Sequence, residues 1–372
     1  MTKQTPLFQL HQEAKAELID FAGWQMPAHY GSPISEHHSV RKKVGMFDVS
    51  HMGIVDISGN QAIPFLRLLL ANDIKRLNKD GKALYSCLLN EEAGIIDDLI
   101  VYRLEENLYR IVCNAACFDK DIRWIQKNIP QDINLQIQPR PDLAIIALQG
   151  PSTFELLKEI LPLPEVNSIK QLPAFEAFNS DGKLYARTGY TGEEGVELIV
   201  PHKDAIDLWQ KLYQKKVQPC GLIARDTLRL EAGLNLYGRD MDETTTPIES
   251  NLDWTVDWKD GQRNFVGRTA LLKKIEQGVN QKLVGLILQT PGVLRENQKV
   301  ITEEGEGRLT SGIFSPTLNK GIALARIPVK ARPPFEVERK GQKLPVVCVK
   351  PPFVRKGKSA YKLLEDKKET QE

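Results

Sequence analysis

A chain of 372 residues, 41% hydrophobic and 26% charged, has the make-up of a globular protein and the length for two or three domains. Its 50 basic and 48 acidic residues leave a net charge of +2, which argues against a general nucleic-acid or membrane-surface binder. No run approaches the roughly 18 apolar residues of a membrane span, and Met1-Thr2-Lys3-Gln4-Thr5-Pro6 carries no signal or transit pattern. Five scattered cysteines (Cys87, Cys113, Cys117, Cys220, Cys348) read as reduced thiols without a zinc set, so a cytoplasmic protein, monomeric by default, is expected.

In chain order, a polar helical stretch leads to Phe21-Ala22-Gly23-Trp24, and a second helical segment holds His37, His38 and Val40. The run Met46 to Met52 reads as an entry into a strand continued by Ile54-Val55-Asp56-Ile57, followed by a helix over 62–70. Strands over 85–89 and 95–102 flank the hairpin loop Asn90-Glu91-Glu92-Ala93-Gly94, and a third over 109–112 completes a meander before a helix over 118–127. A buried strand over 143–148 ends at Gly150-Pro151, where another helix starts. Without a βαβ repeat or a GxGxxG fingerprint the class is α+β, not a dinucleotide-binding fold. From Leu283 onward short strands alternate with polar turns, which predicts a region over 1–278, a separate β-rich domain over 281–358 and a charged tail over 362–372.

Two glycine-containing motifs stand out. In Gly189-Tyr190-Thr191-Gly192-Glu193-Glu194-Gly195-Val196-Glu197 the glycines recur every third residue, as in a loop that turns back or passes close to another group. In Ala224 to Gly238, Arg225 and Arg229 lie one helical turn apart before a break at Gly233. The pair Asp97-Asp98 interrupts an apolar strand; alternation sends the two carboxylates to opposite faces, so at most one faces a given pocket. With both faces otherwise apolar, spacing does not choose between them, and a wetted strand edge or bulge is the bland alternative. His37, His38 and His51 have no partners at ligand spacing and read as satisfied structural histidines; Arg41-Lys42-Lys43 reads as solvated surface.

Taken with Phe47 to Gly53, Ala83 to Tyr102 and Cys220 to Asp226, these motifs make nearly the whole chain resemble the T-protein of the glycine cleavage system, a tetrahydrofolate-dependent aminomethyltransferase. The resemblance implies three domains in a cloverleaf around a central cavity, two of them interleaved over 1–278 and the third a C-terminal β-barrel. It implies transfer of the methylene of an aminomethyl-lipoyl H-protein to tetrahydrofolate, with ammonia released and no metal or flavin. It favours Asp98 over Asp97 as the catalytic carboxylate. It places Glu197 and Arg225 at the folate, against the alternative that they simply pair with each other, and offers Met52, Tyr85, Tyr190 and Tyr237 as walls with Asn114 as a polar contact. Tyr102 is left out, Arg229 is taken as structural and the place of Arg355 stays open. A folate-binding paralogue of the tRNA-modifying kind would carry a K-G-C-Y type motif, a flavin-linked dehydrogenase a dinucleotide fingerprint, and neither is found; a demethylase of small sulfonium compounds is separated only by the closeness of the motifs.

Overall fold

The run Leu143–Gln149 is apolar on both faces, and in the structure, a computed structural model that describes residues 2–364, all seven of its residues are buried in the middle of a sheet. The sheet runs Ala177–Ser180, Lys183–Ala186, Gly195–Pro201, Leu143–Gln149, Gly45–Asp48, Gln218–Pro219. Ala144, Ile146 and Leu148 meet the helices Thr153–Ile160, Leu163–Gln171 and His202–Gln214 through Leu157, Ile169 and Trp209. Ile145 and Ala147, on the opposite face, pack with Phe47, Val49, Ala224 and Leu228. Period-two alternation thus covers both faces and leaves no solvated side.

A second, five-stranded antiparallel sheet is spliced into the first. It runs Ala83–Leu89, Ile95–Glu105, Leu108–Cys113, Gly53–Ser58, Gln136–Pro139, and its core includes Phe65 and Leu66 of the helix Ala62–Leu69 and Ile125 of the helix Phe118–Lys127. The expected continuous strand through Met46–Ile57 is therefore two strands in two sheets. Between them Asp48 Oδ1 accepts from Ser50 N at 2.9 Å and Val49 O accepts from Met52 N at 3.1 Å, a turn that carries the chain from one sheet to the other. The polar opening is also more extended than expected: after the helix Phe8–Glu13, Glu17–Phe21 and Trp24–His29 pair as a hairpin, with Ala22 and Gly23 at positive φ supplying the turn.

From Gln281 to Lys350 six strands close a barrel, in the order Gln281–Leu288, Lys320–Pro328, Gly305–Ser315, Lys299–Thr302, Phe335–Arg339, Gln342–Lys350, the last pairing back onto the first. Of the expected charged tail, Lys362–Leu363 pairs with Val349 and Lys350, and 365–372 lie outside the described residues.

The barrel braces the helix Leu222–Glu231 and the segment after it. Arg229, buried, donates to Asp226 and Asp240, to Leu234 O and to Ser311 Oγ, each at 2.8 to 3.0 Å. A bulge at Thr310 turns its hydroxyl onto Asp240 Oδ1 at 2.5 Å. At the end of the helix, Glu231 accepts from Ser315 Oγ, Thr317 N and Thr317 Oγ1. Arg41 is not solvated surface: it is buried, and it ties Glu193 and Thr191 O of the glycine loop to Glu231. Its neighbour His37 is satisfied as expected, between Thr227 Oγ1 at 2.8 Å and Thr317 Oγ1 at 3.0 Å.

Candidate active site

The glycine spacing has a steric cause. A Cβ on Gly189 would stand 2.1 Å from Gln149 Oε1, one on Gly195 2.4 Å from Gln149 Nε2, and Gly192 sits at φ +76°. Gln149 occupies the cradle, donating to Thr188 O at 3.2 Å and accepting from Thr191 Oγ1 at 2.8 Å. This fixes the loop so that Tyr190 and Glu197, on either side of its tip, reach one cavity.

That cavity, of about 490 Å³, is lined by residues from both sheets and from the helix Leu222–Glu231. Met52, Tyr85, Asp98, Asn114, Tyr190, Glu197, Arg225 and Tyr237 all border it. Asp97 does not. A bulge at Ile96 precedes the acidic pair, since Leu88 faces Asp97 while Leu89 faces Ile95, and alternation then turns Asp98 to the cavity and Asp97 into the interior. Neither acid is wetted at a strand edge. The two are nonetheless linked, because Asn114 Nδ2 donates to Asp97 Oδ1 at 2.8 Å and to Asp98 Oδ1 at 2.9 Å.

Asp98 is half-buried, its exposed surface lying in the cavity, and its second oxygen accepts from Tyr85 Oη at 2.8 Å. Tyr85 is held in turn by stacking on Trp254, ring centroids 5.4 Å apart. Burial, then the charge of Asp97, lift the Asp98 carboxyl to about 7, with the bonds from Tyr85 and Asn114 opposing. Burial and Asp98 push the Tyr85 phenol well above its ordinary value, so it stays a donor.

Across the cavity, Thr188 Oγ1 donates to Glu197 Oε2 at 2.5 Å, and Tyr102 Oη lies 3.2 Å from the same hydroxyl. Glu197 and Arg225 do not pair: among the described residues the Arg225 guanidinium has no ion pair and no side-chain hydrogen bond, and it lies over the Tyr190 ring at 4.7 Å. Burial lowers its pKa, opposed by Glu197 and Tyr190. A free carboxylate oxygen and a free guanidinium facing one cavity suit a ligand that is both donor and acceptor. Tyr190 Oη donates to Asn235 O, and Tyr237 Oη donates to Ile95 O at 3.1 Å while accepting from Lys120 Nζ at 2.9 Å.

The cavity also holds residues that the sequence reading missed. His51 is not a satisfied histidine: its buried Nδ1 has no partner, and its ring meets Phe21 edge-on at 5.6 Å on the cavity wall. Burial, then Arg225, depress it to about 4, so it is a neutral imidazole at neutral pH. Trp254, Tyr102 and Arg229 border the cavity too, and Arg229 has its donors engaged in the barrel junction. Arg355 is exposed in a two-stranded ribbon and does not border it.

A closed barrel set beside two interleaved α+β sheets, with a cavity between the sheets that carries Asp98, Glu197 and Arg225 among aromatic walls, defines a protein that binds a small ligand with flat faces and a polar edge, without a dinucleotide-binding fold. Residues 7–260 match the family model described as the GCVT N-terminal domain, and 281–355 the glycine cleavage T-protein C-terminal barrel domain. An aminomethyltransferase of Nitrosococcus oceani is 50% identical over 359 residues, 96% of each chain, and one of Legionella pneumophila is 48% identical over 96% of this chain and 99% of its own. The crystal structure of the glycine cleavage system aminomethyltransferase T of Bartonella henselae, 35% identical, superposes with a TM-score of 0.88 over 96% of this chain and 99% of that one. The chain belongs to the glycine cleavage T-protein family, and it is an aminomethyltransferase.

Proposed function

We propose that the cavity takes tetrahydrofolate and the aminomethyl-lipoyl arm of an H-protein together, and that Asp98 is the catalytic carboxylate. The observation that carries this is Asp98 itself, an acid fixed by Tyr85 and Asn114 on the wall of an aromatic cavity. In the reaction the C–S and C–N bonds of the aminomethyl group break, and two C–N bonds form to folate nitrogens. The two folate N–H protons leave with sulfur and nitrogen, giving dihydrolipoyl H-protein, ammonia and 5,10-methylenetetrahydrofolate. The carbon stays at one oxidation level throughout, so the chemistry calls for no flavin or other redox cofactor. As the amine departs, positive charge develops on the methylene, and a preorganised carboxylate stabilises it. Asp98 therefore orients and stabilises rather than attacking. Glu197 and Arg225 hold the pterin edge, with Met52, Tyr85, Tyr190 and Tyr237 as walls. Residues 1–278 work as two interleaved domains forming the site and 281–358 as the brace, in a cytoplasmic monomer on which the lipoylated partner docks transiently.

Ammonia release from aminomethylated H-protein, measured with and without tetrahydrofolate, tests the reading. Strong stimulation with 5,10-methylenetetrahydrofolate appearing in step is the expected result; bound folate with no ammonia would overturn it. A second expectation concerns Glu197→Gln, which exchanges a charged acceptor for a neutral one. Hydrogen bonds to charged groups contribute about 1.5–3 kcal/mol, so tetrahydrofolate binding by calorimetry weakens roughly 10- to 150-fold. Unchanged affinity would move Glu197 out of the site.

A further inference from the structure

Behind Asp98 lies a cluster that the reaction as described does not use. Asp97 and Asp121 are buried, at 0% and 1% exposure, and ligand atoms of Asp97, Cys113 and Asp121 lie within 4.8 Å of one another. Asp97 is well served, accepting from Asn114 N at 3.0 Å and Asn114 Nδ2 at 2.8 Å. Asp121 is not: neither of its oxygens receives a hydrogen bond. A buried carboxylate with no donor, beside a second carboxylate, is untenable as an anion. As a carboxylic acid it becomes the donor that the pair lacks. We propose that Asp97 and Asp121 share one proton, held on Asp121 and donated to Asp97, and that this pair fixes the Asn114 amide against Asp98, making Asp121 a positioning residue for the transfer.

One negative charge is tolerable here while the second acid donates to it, and two are not. The Asn114 donors solvate the charge on Asp97, and the N-terminal end of the helix Phe118–Lys127, which carries Asp121 in its first turn, favours a single anion beside it. The other titratable groups facing the pair are the thiols of Cys113 and Cys117 and the ammonium of Lys120. Those facing Asp98 from the other side are Tyr85, Cys87 and Tyr190. Burial raises the carboxyls of both Asp97 and Asp121, and for Asp121 the charge of Asp97 adds to the rise. Burial likewise keeps Cys113 a thiol, which suits a weak donor and not a metal-binding thiolate. After burial, the pair's single charge is what further lifts Asp98, so the kinetic consequence rests on the role given to Asp98 above, while the shared proton itself does not.

The two parts are tested separately on the full chain. Infrared spectra at mildly alkaline pH, where ordinary carboxyls are ionised, are expected to show a protonated carboxyl band. That band persists in Asp98→Asn and disappears in Asp121→Asn. Its absence from the wild type, its survival in Asp121→Asn, or a stoichiometric metal in the purified protein would overturn the proposal, whatever Asp98 does. In the kinetic arm, Asp121→Leu removes the donor, Asp97 takes up the proton, and Asn114 loses its charged anchor. The turnover number then falls roughly tenfold or more, and the pH limb of Asp98 moves about one unit to the acid side. Asp121→Asn supplies an N–H donor to Asp97 and restores both turnover and limb. Equal limbs in all three proteins would show Asp121 to be packing alone. If Asp121→Leu fails to fold, the infrared comparison still decides.

Discussion

Replacing Asp98 by asparagine is expected to lower methylene transfer by about 10²- to 10³-fold, the loss seen when one preorganised electrostatic group is removed. The geometry makes asparagine a poor substitute in two ways. It cannot offset the cationic methylene. It also carries a donor where Tyr85 and Asn114 both already donate, so one of those bonds must break. The pH dependence has a definite sign. With the carboxyl lifted to about 7, Asp98 is neutral below that pH and charged above it, so the wild-type turnover number rises through a limb near neutrality to an alkaline plateau. The variant is flat across the same range. A limb of the same position and slope in Asp98→Asn would assign the titration to another group and remove the basis for giving Asp98 the central role.

Much of this site was legible as motif and little of it as geometry. The helix Phe118–Lys127 and the strand around Asp98 follow from short-range periodicity, and the glycines of the 189–195 loop announced a close approach, which Gln149 turns out to make. Which acid faces the cavity was not readable, because Ile95, Ile96, Leu99 and Ile100 are apolar on both sides of the pair and a bulge sets the phase. The division of Met46–Ile57 between two sheets was hidden for a related reason: its apolar residues continue unbroken, and only the Asp48 turn separates the strands. Arg41 looked like surface because a basic triplet gives no hint of Glu193 and Glu231, which lie 152 and 190 positions further along the chain. His51, Trp254 and Asp121 carry no local signal at all. Their significance comes from what the fold brings beside them, a cavity for the first two and a second carboxyl for the third.

The largest loss of stability is expected at the junction between the barrel and the helix that carries Arg225. Arg229 is 1% exposed, and its pair with Asp240, 0% exposed, is among the most enclosed in the protein. Asp240 also accepts from Leu236 N, Thr310 Oγ1 and Ser311 Oγ, so its charge is solvated entirely by protein. Truncating one member of such a pair leaves the other buried and uncompensated, which costs about 3–5 kcal/mol. Arg229→Met should therefore lower the denaturant midpoint sharply, whereas Arg229→Met combined with Asp240→Asn should recover part of the loss, since the stranded charge is gone. The functional consequence follows from chain order. Arg225 lies one turn before Arg229 on the same helix, so loosening this anchor should weaken tetrahydrofolate binding even though Arg229 has its donors turned to the barrel junction. A double variant no more stable than Arg229→Met would mean that Asp240 does not depend on the arginine for its charge. Folate affinity unchanged in a destabilised Arg229→Met would mean that the barrel holds the helix up without setting the position of its guanidinium in the cavity.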